Sequence, residues 1–258
     1  MVRLPVSGTV VDMRPVTGAE DMLLLEAGGS QVEISIALAN RLARRCDGSE
    51  MDAASLPLAD LEALLLQFRR TLLGDRVLSH AKCPGAGCGT ETDISFRISD
   101  YLAHYRPRRP RAVDAIKDEP GWFALSGSAV KFRLVTAADI LASRSCPHAE
   151  SELARRTICP GTASRHDRKR VQQAMETLAP PLAQEVAGRC PACGTTTQFS
   201  FDPQGFVQRE LQYEAAFLYE DVNLLAGRYH WSEEKILSLP RMRRLQYAEL
   251  AMRGGVAN

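Results

Sequence analysis

The sequence predicts an α+β protein made of two duplicated halves, each with short strands, helices and a zinc-ribbon-like cysteine turn, followed by a C-terminal helical segment. Three observations carry that expectation. Cys-Gly-Thr-Glu-Thr-Asp-Ile-Ser-Phe from Cys88 is answered by Cys-Gly-Thr-Thr-Thr-Gln-Phe-Ser-Phe from Cys193. Upstream, the stretch from Ser7-Gly8 to Thr17 aligns with that from Ser126-Gly127 to Thr136, and the two matches keep their order. Both threonines are followed three residues later by an acid, Glu20 or Asp139. Two matches in the same order are the signature of a duplicated structural unit.

Each half begins with a turn and a short strand, since Val11 and Met13, or Val130 and Phe132, alternate with polar neighbours. Thr17 and Thr136 then stand as N-caps, with Glu20 and Asp139 as reciprocal capping partners, so a helix should start at each. A strong helix follows over Leu58 to Leu73, and a weaker one carries Val171, Met175, Leu178 and Leu182 before Pro180-Pro181 interrupts it. After each cysteine pair, Thr92, Ile94 and Phe96, or Thr197, Phe199 and Phe201, read as a strand. One long helix is expected from Pro203 to Gly227. In the tail, Ser232 caps a short helix after Trp231, and Pro240 opens another. There Leu245, Ala248 and Met252 should pack inward while Arg241, Arg243 and Arg244 face outward. The expected organisation is a first half over 1–105, an Arg/Pro-rich linker over 106–122, a second half over 123–228 and the helical segment over 229–258.

Charge and composition narrow the function. The chain has 258 residues, with 32 Lys+Arg against 31 Asp+Glu, so no whole-chain field draws it to nucleic acid or an anionic surface. At 45% hydrophobic and 24% charged it is an ordinary globular sequence. The longest apolar run, Ala215 to Tyr219, is far short of the roughly 20 residues of a membrane span. No export signal is evident at Met1 to Pro5, so a cytoplasmic chain with reduced thiols is expected.

Seven cysteines divide by spacing. Cys83 and Cys88 enclose Pro-Gly-Ala-Gly, Cys190 and Cys193 enclose Pro-Ala, and Gly follows the second Cys of each pair. Such a turn aims two thiolates at one point, and two turns supply the four thiolates of a closed, structural zinc site. One Zn²⁺ is therefore expected on Cys83, Cys88, Cys190 and Cys193. Two metal-free turns, or a redox disulfide between Cys190 and Cys193, stay open as alternatives. Cys46, Cys146 and Cys159 lack the turn pattern, and His80 reads as a surface neighbour of Cys83. A four-sulfur site leaves no position for water, and no phosphate loop, dinucleotide fingerprint, nucleophile elbow or zinc-protease motif occurs, so no enzyme or small-molecule substrate is expected.

The opening Leu4-Pro5-Val6-Ser7-Gly8 with Pro15-Val16-Thr17-Gly18-Ala19-Glu20-Asp21, the Cys-Pro turn at 190–194 with Phe199-Ser200-Phe201-Asp202, and Tyr229-His230-Trp231-Ser232-Glu233 with Ile236-Leu237 and Leu239-Pro240 carry a family likeness. In these residues the chain resembles the baseplate hub assembly proteins of T-even-like phages and related contractile injection systems. The resemblance implies a non-enzymatic role, as an assembly chaperone or as a structural subunit of the tail baseplate that could stay in the particle. It also implies baseplate hub or wedge proteins as partners, with Tyr229, Trp231, Arg241 and Arg244 as candidate contact residues. The opposed reading is a zinc-ribbon nucleic-acid binder using Arg106 to Arg111 and Arg241 to Arg244. Nucleic acid is the less favoured partner: Arg106 to Arg111 read as a short solvated linker partly balanced by Asp114, Asp118 and Glu119, and no sequence feature makes the tail arginines converge on a groove.

Overall fold

The computed structural model describes residues 1–46 and 48–254. The first repeat contains β1 (Val2–Arg3), β2 (Val10–Met13), α1 (Gly18–Glu26), α2 (Gln31–Leu42) and β3 (Ala43–Arg45). Then come α3 (Leu58–Leu73), the hairpin β4 (Arg76–Lys82) and β5 (Glu91–Arg97), and α4 (Ile98–His104). The second repeat has β6 (Val113–Ala115), β7 (Trp122–Leu125), β8 (Lys131–Arg133), α5 (Ala137–Arg144), α6 (Ala149–Thr157) and β9 (Ile158–Cys159). After it lie α7 (Arg165–Leu178), the hairpin β10 (Gln184–Arg189) and β11 (Thr196–Phe201), α8 (Pro203–Ala215), α9 (Leu218–Tyr229), α10 (Glu233–Leu237) and α11 (Arg241–Gly254). The fold is mixed α and β with small antiparallel sheets.

The duplicated element is a strand-helix-helix-strand unit. In the first copy β2 pairs antiparallel with β3, Met13 opposite Ala43; in the second β8 pairs with β9, Phe132 opposite Ile158. Gly8 and Gly127, which precede the first strand of each copy, both have φ +71°, a left-handed turn that glycine accepts without strain. Both capping boxes form: Thr17 N–H donates to Glu20 at 3.0 Å, and Thr136 N–H donates to Asp139 at 3.0 Å. An arginine three residues before each threonine clamps the same acid, Arg14 on Glu20 and Arg133 on Asp139.

The chain forms two compact units that do not follow the sequence halves set at 1–105 and 123–228. The first holds Met1–Val2, Val11–Met51 and the chain from Gln204; the second holds Arg3–Val10 and Asp52–Pro203. The reason is a pair of Ser-Leu-Pro segments. Ser238-Leu239-Pro240 opens α11 and docks on the first repeat, where Arg241 N–H donates to the Val16 carbonyl at 2.8 Å. Ser55-Leu56-Pro57 opens α3 and docks on the second repeat, where Leu58 N–H donates to the Val135 carbonyl at 3.0 Å.

In the first unit, α8 lies on the repeat: Gln208 Nε2 donates to the Gln31 carbonyl and to Ser35 Oγ, and Gln212 Nε2 to the Leu24 carbonyl. Leu225, Ile236, Ala248 and Ala251 form the core under the tail. In the second unit α7 packs Val171 and Ala174 on a four-stranded sheet with Val113, Leu125 and Phe132.

Several expectations change. The single helix expected over Pro203 to Gly227 is two, α8 and α9, broken at Ala216–Phe217. The buried face runs on through Val207, Leu211, Ala215, Leu218 and Leu225 across the break, so periodicity alone does not reveal it. The weaker helix stops at Leu178, and Leu182 is buried outside it. Within the linker expected over 106–122, Val113 is buried and carries β6 into the sheet opposite Leu125. The last four positions of the expected C-terminal segment, 255–258, lie outside the described residues.

Candidate metal centre

Each hairpin presents its cysteines at the closed end. β4 and β5 pair from Arg76 opposite Arg97 to Lys82 opposite Glu91, and β10 and β11 from Gln184 opposite Phe201 to Arg189 opposite Thr196. Beyond the last pairs, Cys83 N–H donates to the Thr90 carbonyl and Cys190 N–H to the Thr195 carbonyl, both at 2.9 Å, so the two turns close alike. Gly89 (φ +59°) and Gly194 (φ +74°), directly after the second cysteines, take the left-handed conformation that reverses the chain.

The two hairpins lie in the same compact unit, and their open ends are joined by aromatic rings. Phe96 and Phe201 meet edge to face at 5.1 Å, and Tyr101 lies 5.1 Å from Phe201 while donating its hydroxyl to the Leu182 carbonyl at 2.6 Å. Thr92 and Thr197, each four residues after the second cysteine of its pair, are both buried, and neither hydroxyl has a hydrogen-bond partner.

At the closed ends the Sγ atoms of Cys83, Cys88, Cys190 and Cys193 all lie within 4.8 Å of one another. The cross-hairpin separations are 3.5 Å for Cys83 to Cys193 and 3.8 Å for Cys88 to Cys190. A tetrahedron with zinc-sulfur bonds of about 2.3 Å has edges of about 3.8 Å, so these distances fit a four-sulfur site. Gly85 sits against the cluster: a Cβ there would lie 3.2 Å from Cys193 Sγ and 3.3 Å from Cys83 Sγ. Its N–H donates to Cys83 Sγ at 3.4 Å.

The thiols are electrostatically unequal. The Cys193 amide, followed by the Ala192 amide and the Cys83 thiol, lowers Cys190 to about 6 against the pull of burial. The Thr195 hydroxyl and amide lower Cys193. At Cys83 the Gly85 amide pulls down, but burial and the three neighbouring thiols together push it up to about 12. Backbone amides aimed at the sulfurs are what a thiolate cluster requires for charge compensation.

Among the described residues this is the one group of Cys, His, Asp or Glu with metal-binding geometry. Cys46 and Cys159 are exposed, and Cys146 bonds the Ala142 carbonyl. His80 is exposed and paired with Asp93 at 2.8 Å.

The candidate partner residues separate. Tyr229 and Trp231 are half-buried and stacked at 4.9 Å, with Tyr247 edge-on to Trp231 at 5.0 Å. Arg241 and Arg244 correct the expectation: they are 4% and 1% exposed and point inward. Arg241 Nε donates to Asp21 Oδ1 at 3.0 Å, Arg244 Nη2 to Asp21 Oδ2 at 2.6 Å and Arg244 Nε to Asp221 Oδ2 at 3.1 Å. The buried carboxylates turn α11 so that Ala248 and Ala251 face in and Arg243, Leu245 and Met252 face out. Asp21 and Asp221 escaped the sequence reading. The available signal was the recurrence of Ser-Leu-Pro at 55–57 and 238–240, which marks the docking partner of each repeat.

Among the described residues no helix is long and apolar enough to cross a membrane. No curated protein and no solved structure matches the chain. A family model described as T4 bacteriophage base plate protein matches residues 1–156, a span that takes in the first repeat, the first cysteine pair and most of the second repeat. With more than half of its length in that match, the chain belongs to the T4 bacteriophage base plate protein family.

Proposed function

We propose that this protein is a zinc-stabilised, non-enzymatic component of a contractile-tail baseplate, acting through protein contacts as a structural subunit or as an assembly chaperone. The observation that carries the metal is the four-thiol cluster, whose cross-hairpin distances of 3.5 and 3.8 Å match the edge of a zinc-sulfur tetrahedron. Cys83, Cys88, Cys190 and Cys193 would hold the ion and fasten the two hairpins of one unit. Bound there, zinc supplies folding free energy and, with four sulfurs, no reactive water. Baseplate hub or wedge proteins are the partners this reading names, with Tyr229 and Trp231 as contact residues. The buried pairing of Arg241 and Arg244 takes them out of that surface and out of the nucleic-acid reading as well.

Elemental analysis of protein purified without added metal tests the centre: about one Zn per chain is expected, and less than about 0.3 with four free thiols rejects it. For the role, purified tail particles are compared with a pull-down from cells making them. Presence in both is expected of a subunit; presence in the pull-down alone marks a chaperone; absence from both rejects the proposal. Duplex or single-stranded DNA binding that weakens steeply between about 50 and 200 mM salt, with no baseplate partner captured, would favour the nucleic-acid reading instead.

A further inference from the structure

The two Ser-Leu-Pro helices make the same backbone contact on the two repeats, yet the side chains behind that contact differ in kind. Counting from the capping threonine, the residue four positions on is Asp21 in the first repeat and Ile140 in the second. Counting from the docking proline, the first and fourth positions on are Arg241 and Arg244 in α11, but Leu58 and Leu61 in α3. Asp21, Arg244 and Leu61 are each no more than 1% exposed. One docking site thus holds a buried ion cluster, while the equivalent positions of its counterpart carry aliphatic residues.

We propose that the Asp21, Arg241 and Arg244 cluster is a pairing device that assigns α11 to the first repeat and α3 to the second. The backbone contact cannot make the choice, because Thr17 with Pro240 and Pro57 with Thr136 form the same antiparallel bridge. An exchange is rejected by side chains. Placing α3 on the first repeat sets Leu58 and Leu61 against a buried Asp21 carboxylate with no cation. Placing α11 on the second sets two guanidiniums against Ile140. A charge buried without its partner is strongly penalised, whereas the matched ion set and the matched apolar set are both tolerated. A second feature acts in the same direction. Asp60 of α3 is fully buried and accepts the Val6 and Ser7 amides at 2.8 Å each, while the corresponding residue of α11 is the exposed Arg243.

The test copies the apolar set into the first repeat of the full chain: Asp21→Ile, Arg241→Leu and Arg244→Leu, with Asp221→Asn because Asp221 otherwise loses its partner. Methyl NMR of Met242 and Met252 reports where α11 sits. The unaltered chain is expected to give one signal for each. The variant is expected to stay folded and to give a second set with a population of about a tenth or more. A single set, or a chain that no longer folds, overturns the proposal, since the charges would then govern stability or nothing. The reverse transplant provides an independent reading. Leu58→Arg with Leu61→Arg is expected to reduce soluble folded protein about tenfold, and adding Ile140→Asp to recover at least about a third of it. No recovery overturns the proposal.

Discussion

Glu20 and Asp139 make a matched pair of perturbations, because each carboxylate holds a helix start and an arginine at once. Glu20 accepts from Thr17 N–H at 3.0 Å, Thr17 Oγ1 at 2.9 Å and Arg14 at 3.0 and 2.6 Å, and its side chain is 1% exposed. Glu20→Ala removes a reciprocal cap worth about 1 kcal/mol. It also removes charge-assisted bonds worth about 1.5 kcal/mol, the low end of their range because Arg14 remains 38% exposed and rehydrates. The expected loss is about 2 to 3 kcal/mol. Asp139→Ala should cost about as much, since Arg133 and Thr136 repeat the geometry. The chain contains two tryptophans, Trp231 in the first unit and Trp122 in the second, so urea unfolding can follow each unit by its own fluorescence. Glu20→Ala is read by Trp231 in a Trp122→Phe background, and Asp139→Ala by Trp122 in a Trp231→Phe background. Glu20→Gln, which keeps an oxygen for the cap but loses the charge, should cost about half as much. A loss below about 0.5 kcal/mol in the Ala variants, or Gln equal to Ala, would refute the combined cap-and-clamp account.

Acid should expose the same two groups: burial alone would raise Glu20 and Asp139, but the arginine hydrogen bonds and the threonine amides outweigh it and lower both. A lowered folded pKa gives stabilisation that is complete above the unfolded carboxylate range near pH 4 and lost as pH falls through the folded values, so Glu20→Gln with Asp139→Asn should flatten the acid limb of the urea midpoint. Gly18→Ala should destabilise the first unit by about 1 to 3 kcal/mol, because the added Cβ would lie 2.9 Å from Leu237 Cα; an unchanged Trp231 transition speaks against that contact. Cys190→Ser should abolish stoichiometric zinc and speed amide exchange in both hairpins, β4 with β5 and β10 with β11; fast exchange in only one would mean that no ion links them.

What the sequence disclosed was local. Thr17 with Glu20 and Thr136 with Asp139 read correctly because a capping box is written within four residues. The cysteine turns read as equivalents because each is a short motif, seven residues from Cys83 to Gly89 and five from Cys190 to Gly194, that repeats. Arg241 and Arg244 did not, because their partner Asp21 lies 220 and 223 residues away, and a charge on a helix defaults to solvent unless its counter-ion is known. Asp21 was hidden in turn, since an acid in the first turn of a helix is already accounted for by the helix dipole. The break between α8 and α9 was invisible for a different reason: the apolar stripe keeps its phase across Phe217.

The distance in sequence between Asp21 and Arg241 also has a temporal meaning. A ribosome adding about 5 to 20 residues per second needs roughly 10 to 45 seconds to cover that interval. Throughout it Asp21 has no counter-ion, and every segment of the second unit, which ends at Pro203, is made before Arg241 is added. A chain cut short of α11 would therefore hold Asp21 without a guanidinium and a first unit whose core lacks Ala248 and Ala251.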